Sequence, residues 1–143
     1  MPKWIITTLM LYASTTFSKD CFNNAAKDYQ LDADLLRAIA YRESAFKPNA
    51  INYVSPSSYA IGLMQIHSQN FNELARLGIT EQQLRDNPCL NIYTGAYYLA
   101  KFIKIQGDVW QGVGAYNAGL KKRLNKNKKD IVMLMKSIIF IWH

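Results

Sequence analysis

Between Leu35 and Phe46 the chain reads LLRAIAYRESAF, and the apolar side of this segment ends on an acid. Leu35, Leu36, Ile39 and Ala40 recur at helical spacing, so a helix here commits one face to a core. Glu43 follows Ile39 by one helical turn and Leu36 by two, which aims its carboxylate at that same face. Burial and the negative end of the helix dipole both raise a carboxyl pKa above its ordinary value, as a general acid working near neutral pH requires. The segment also fits a glutamate paired at the surface with Arg42, Arg37 or Lys47.

The rest of the chain bounds what such a helix belongs to. With 143 residues, 50% hydrophobic and 19% charged, the composition fits one compact domain. Residues 1–18 stand apart. Lys3, the apolar run Trp4 to Ala13 and the small residues around Thr16 and Ser18 form a signal-peptide pattern, with cleavage expected near Ser18 or Lys19 and a single domain over residues 19–143. The apolar run is shorter than the roughly 20 residues a membrane span needs. Loss of residues 1–18 removes only Lys3 from the 17 basic residues and none of the 10 acidic ones, leaving a charge of +6. An exported cationic protein suits an anionic partner such as cell-wall polymer or lipid headgroups, and no nucleic-acid motif is present. Cys21 and Cys89 read as one disulfide, worth roughly 3–5 kcal/mol by loop closure. His67 and His143 form no ligand-spaced cluster with the cysteines, so no metal site is expected.

Most segments read as helix. Phe22 to Tyr29 is a short helical stretch, and Asp32 is placed to cap the next helix, with Asp34 in its first turn. Lys47-Pro48-Asn49 ends that element, and Asn49 to Gly62 has the Pro, Ser and Tyr content of an irregular loop or a small hairpin. Leu63 to Leu77 predicts a helix stopping at Gly78, and Thr80 with Gln83 has capping-box spacing. Asn91 to Gln106 is the longest amphipathic stretch, with Ile92, Ala96, Leu99 and Ile103 on one side, and Val109 to Ala118 is another helix.

Two further stretches carry groups suited to a binding site. In AIGLMQI, Ala60 to Ile66, Gly62 would let backbone approach a ligand and Gln65 would offer an amide to a neutral polar substrate. In GVGAYNAG, Gly112 to Gly119, Tyr116 and Asn117 sit between small residues that would let a ring and an amide line a groove. Each stretch alone also fits an ordinary loop-to-helix junction or a helix end.

Taken in order, Glu-Ser, then Gly-Leu-Met-Gln, then Ala-Tyr-Asn-Ala-Gly resembles the lytic transglycosylases of the lysozyme-like superfamily. DADLLRAIA before the glutamate, NPCLNIYTGAYYLA between the second and third motifs, and the two cysteines extend the likeness over about Cys21 to Gly119. It is strongest to the small exported branch attached to type III and type IV secretion systems and pili. The resemblance implies a mainly α, lysozyme-like domain with at most a small β-hairpin, a groove for peptidoglycan glycan strands, and a periplasmic location. It implies Glu43 as catalytic acid, with Gln65, Tyr116 and Asn117 lining the groove and Ser44 and Met64 close by. In that family the glutamate protonates the oxygen between N-acetylmuramic acid and N-acetylglucosamine, then takes the proton of the muramic C6 hydroxyl to give a 1,6-anhydro product. One carboxylate performs both steps, so no cofactor is implied, and a secretion-apparatus component is the implied partner.

Ala60 departs from the branch, where Asp often precedes Ile-Gly-Leu-Met-Gln. The second carboxylate that lysozyme-style hydrolysis uses is therefore missing at that position. A hydrolytic muramidase is the runner-up of the same fold, a non-catalytic peptidoglycan-binding assembly factor comes next, and a cationic membrane-active protein last. His67 reads as a helix-surface residue with a lesser case for substrate contact. Phe71, Tyr97 and Tyr98 have core spacing, while Trp110 has the best case for facing a sugar. Six of the nine residues Lys121 to Lys129 are basic, and Asp130 to Trp142 is apolar enough to close the back of the domain.

Overall fold

The computed structural model describes the backbone of residues 13–118 and the side chains of residues 20–117. The basic run and the apolar stretch after it lie outside those residues, as does most of the expected signal peptide. Helix α1 (Ala13–Tyr29) is longer than the stretch read from sequence and runs through the expected cleavage point. Helix α2 (Ala33–Ser44) begins as predicted, with the Asp32 carboxylate accepting from the amides of Asp34 and Leu35. It stops at Ala45 and Phe46, both in the left-handed region with φ of 51° and 59°, three residues before the proline motif finishes.

The Asn49 to Gly62 segment forms a hairpin of β1 (Ile51–Ser55) and β2 (Ser58–Ile61), and a third strand, β3 (Ile66–His67), extends it to an antiparallel sheet in the order β1-β2-β3. Register puts Ile51 opposite Ile61 and Ile61 opposite Ile66, and of this row Ile61 and Ile66 are buried while Ile51, on the edge strand, is exposed. Asn52, Ala60 and His67 form the row on the other face.

The helix predicted over Leu63 to Leu77 is absent in its first half. A tight turn, β3 and a 3-10 turn (Ser68–Asn70) precede a short α3 (Phe71–Arg76). Gly62 and Gln65 both have positive φ, 78° and 50°, and that backbone cannot begin a right-handed helix. Beyond α3, Gly78 does end the helix, its amide bonding Ala75 C=O while the Ile79 amide bonds Leu74 C=O in a Schellman arrangement. Thr80 and Gln83 close the predicted capping box on α4 (Glu81–Asp86).

Helix α5 (Pro88–Gln106) starts from an Asn87 cap and packs against α1, α4 and α6 (Val109–Ala118). Its stripe of Ile92, Ala96 and Leu99 is fully buried, each of the larger side chains worth roughly 1.5–3 kcal/mol of transfer free energy. The Cys21–Cys89 disulfide forms as expected and joins α1 to the first turn of α5, with Cα atoms 5.5 Å apart. A Cβ on Gly112 would lie 2.4 Å from Ile103 Cγ1, so glycine is what allows α6 to lie so close to α5. No described helix is long and apolar enough to cross a membrane.

Candidate active site

Glu43 is the penultimate residue of α2 and is half-buried. None of the surface pairings open to it forms: Arg37 instead bonds Asp34 and Asn23, and among the described residues the Glu43 carboxylate has neither an ion pair nor a hydrogen bond. Burial pushes its pKa up to about 7 and the nearby Arg42 charge pulls against this. The carboxyl therefore holds its proton near neutrality and can also give it up.

Tyr116 comes from α6. Its hydroxyl donates to Met64 C=O at 2.7 Å, and its ring packs edge-on against Phe102. Burial raises the Tyr116 pKa well above the usual phenol value, and the Glu43 charge, near enough to act on it, adds to the shift. Tyr116 thus stays a neutral donor beside the acid.

Between these two lies the turn from Gly62 to Gln65. Gln65 sits in its left-handed conformation because its own amide holds it: Nε2 donates to Gly62 C=O at 3.0 Å and Ala50 C=O at 3.3 Å, while Oε1 accepts from Asn52 Nδ2 at 2.9 Å. Both amide hydrogens are committed inside the protein, which leaves Oε1 as the atom with acceptor capacity to spare. Ser44 and Met64, expected near the glycan, are 8% and 0% exposed. Ser44 Oγ lies 3.0 Å from Ala40 C=O and 2.9 Å from Leu63 C=O, stapling the end of α2 to the turn. The Met64 side chain fills the space over Gly95, where a Cβ would come within 2.6 Å. Both residues support the site from beneath.

The transglycosylase SLT domain model matches residues 20–133. The chain belongs to the transglycosylase SLT domain family. Over 132 residues it is 47% identical to the X polypeptide of Escherichia coli, an alignment spanning 92% of this chain and 78% of that one. It is 39% identical over 129 residues to the invasion protein IagB of Salmonella typhimurium, spanning 90% and 81%. Among solved structures, an inactive mutant of the lytic transglycosylase Slt of Pseudomonas aeruginosa superposes with a TM-score of 0.61 at 26% identity, covering 86% of this chain. The match takes up 22% of that larger protein, so this chain corresponds to one part of it. The mainly α, lysozyme-like fold implied by the motifs is thus the fold present.

Within this SLT domain Ala60 is 7% exposed, in the sheet row between Asn52 and His67, and that row carries no carboxylate. His67 lies on β3 instead of a helix surface, and its Nδ1 is buried without a hydrogen-bond partner. Asn117 follows Tyr116 on α6 and is half-buried. Trp110 packs partly buried against the core, as do Phe71 and Tyr97, while Tyr98 is buried within it.

The sequence suggests Gly62 as a place where backbone could approach a ligand; in the fold a side chain of α5 also lies close against it. A Cβ at Gly62 would lie 2.0 Å from Asn91 Nδ2. Asn91 is fully buried on the interior side of α5. Its signal was a polar side chain one position before the Ile92, Ala96, Leu99 stripe.

Proposed function

We propose that this lytic transglycosylase cuts the β-1,4 bond between N-acetylmuramic acid and N-acetylglucosamine of peptidoglycan, with Glu43 as its single acid and base and a 1,6-anhydromuramic end as product. The observation that carries this reading is the half-buried Glu43 carboxyl, which has no partner among the described residues and a pKa raised to about 7. In the first step its proton passes to the glycosidic oxygen as the bond to muramic C1 breaks. In the second the resulting carboxylate takes the proton of the C6 hydroxyl, whose oxygen bonds to C1, so no water enters the product. A carboxyl poised near pH 7 suits both steps.

The other glutamates favour a single-carboxylate route. Glu73 is paired with Lys101 and Glu81 with Arg85, and Ala60 supplies no second acid. A hydrolase would lack its usual second group. Tyr116, Asn117 and the free side of Gln65 Oε1 are the groups we assign to the glycan. The Cys21–Cys89 disulfide fits an oxidising compartment, and with the likeness to an invasion protein it supports a role in the periplasm, opening the wall locally for a secretion apparatus.

Digestion of purified sacculi with the protein and with Glu43→Gln, read by mass spectrometry of soluble muropeptides, tests this. Anhydromuropeptides released only when Glu43 is intact are expected. Reducing muramic ends would favour a hydrolase, and binding to sacculi without any soluble product would favour an assembly factor.

A further inference from the structure

We infer that Asn91, on the far side of the Gly62–Gln65 turn from the substrate, is a positioning residue that sets Glu43 and Tyr116 against each other; this rests on the catalytic reading of Glu43 above. The Asn91 side chain is fully buried and every hydrogen-bonding group of its amide is engaged. Oδ1 accepts from the Met64 amide at 2.8 Å, and Nδ2 donates to Ile61 C=O at 3.1 Å and Leu84 C=O at 3.3 Å. Only one orientation of the amide works, because flipping it would set donor against donor and acceptors against acceptors. One side chain on α5 thus fixes both the end of β2 and the middle of the turn.

The turn held in this way is the common support of the two functional side chains. Leu63 C=O accepts from Ser44 Oγ, whose residue adjoins Glu43 at the end of α2, and Met64 C=O accepts from the Tyr116 hydroxyl on α6. Two successive carbonyls of one turn therefore locate residues from two helices, and Asn91 bonds the Met64 amide beside them. Gly62 completes the joint: its missing side chain and its φ of 78° leave room for the Asn91 amide. Without that amide, Met64 N–H is a buried polar group with no acceptor and Ile61 C=O, which is also paired in the sheet with β3, loses a donor. The turn would shift to satisfy them, carrying Ser44 and Tyr116 with it and letting water reach Glu43.

The test uses the whole protein and two readouts, one of them independent of activity. Carbon-13 NMR titration of the Glu43 carboxyl in the wild type and in Asn91→Ala is expected to give a pKa near 7 for the first and a lower one for the second, moving toward the ordinary value. On sacculi, kcat per folded molecule is expected to fall about ten- to a hundredfold in Asn91→Ala, as for a misplacement of about 1 Å, with KM little changed. Asn91→Ala combined with Tyr116→Phe should lose far less than the product of the two single losses, because both changes release the same turn. Leu74→Ala, a buried change on α3, controls for stability alone: it should lower Tm and leave the Glu43 titration where it was. If Asn91→Ala does not accumulate as folded protein, Asn91→Leu, which fills the same space without a hydrogen-bonding group, carries the same measurements. An unchanged Glu43 pKa with kcat per folded molecule intact in the Asn91 variant overturns the inference. Absence of anhydromuropeptides from the wild type would instead overturn the catalytic reading, while the titration would still report on the positioning.

Discussion

Glu43 and Glu73 stand on helices that pack against the same interior, and they meet opposite surroundings. Glu73, on α3, accepts from Lys101 Nζ at 2.8 Å and from the hydroxyls of Tyr97 and Tyr98 at 3.4 Å. The Lys101 hydrogen bond, helped by its charge and by the two phenols, holds the Glu73 pKa below the usual carboxylate value, against a smaller effect of burial. Among the described residues Glu43 has no such partner, and burial drives its pKa up to about 7. A carboxylate surrounded by donors is fixed as a charge and ties α3 to α5. One left without donors on a packed face costs stability once ionised, and what it gains is a proton it can exchange. On the proposed function, the contrast is between a structural acid and the chemical one, and it is drawn from surroundings without reference to any motif.

The largest effect that would break this contrast is on rate. Glu43→Gln should reduce release of anhydromuropeptides by at least about 10²-fold, the usual lower bound for losing a general acid or base, whereas Glu73→Gln should leave kcat within about threefold, as expected of a surface change outside the chemistry. Comparable losses in the two variants would show that the partnered acid takes part in the reaction. In the wild type, kcat/KM should also fall as pH rises through about 7, since the first step needs Glu43 protonated. A profile flat across that range would remove Glu43 as the acid.

The next effect is on stability, and its sign follows from the raised pKa. Below the ordinary value of 4.5 Glu43 is protonated in both the folded and the unfolded chain and costs nothing. Between 4.5 and about 7 the unfolded chain gives up its proton while the folded one keeps it, so stability declines as pH rises and levels off above 7. Glu43→Gln removes this dependence and should raise the stability of the folded protein at pH 8 by about 1–3 kcal/mol, allowing for the partial exposure of the site. Thermal unfolding of both proteins at pH 4 and pH 8 measures it. A variant less stable than wild type at pH 8 would mean that the carboxylate has a donor and that the contrast with Glu73 is false.

How much of this was legible in the sequence depends on how far apart the deciding residues lie. The Asp32 cap, the Thr80 and Gln83 box, the bounds of α6 and the inward turn of Glu43 are settled by residues within a few positions of one another, and the local pattern announced them. The Gly62–Gln65 turn is different. Leu63, Met64 and Ile66 are apolar at spacings that fit a helix, yet their burial comes from a turn and a strand. Its shape is imposed by Asn91, 27 residues beyond Met64, and by Gln65 taking a left-handed conformation that costs a non-glycine residue about 1–2 kcal/mol. No local pattern announces such a conformation. For the same reason Ser44 and Met64 could be named from the motifs but not seen as buried supports, because their partners, Leu63 C=O and Gly95, come from elsewhere in the chain.

The smallest effect tests the other half of the contrast. The Glu73–Lys101 pair is two-fifths exposed on both sides, so water and salt screen it and its net worth lies within about 1 kcal/mol. Its pH dependence nevertheless runs opposite to that of Glu43. A lowered carboxyl pKa contributes stability that is present above the unfolded value and is lost as pH falls through the folded one. Glu73→Gln should therefore cost a few tenths of a kcal/mol at pH 7, and that cost should disappear as the solution is acidified below pH 4.5, the ordinary value from which Glu73 is lowered. Lys101→Met should reproduce most of the loss at pH 7, since the Lys101 hydrogen bond is the chief cause of the shift. Unfolding curves of the Glu43→Gln and Glu73→Gln variants across the same pH series should then converge on wild type in acid and diverge from it in opposite directions at neutral to alkaline pH, Glu43→Gln above it and Glu73→Gln below it. If both diverge in the same direction, the two glutamates share one kind of environment, and the assignment of the proton-exchanging acid has to rest on rate alone.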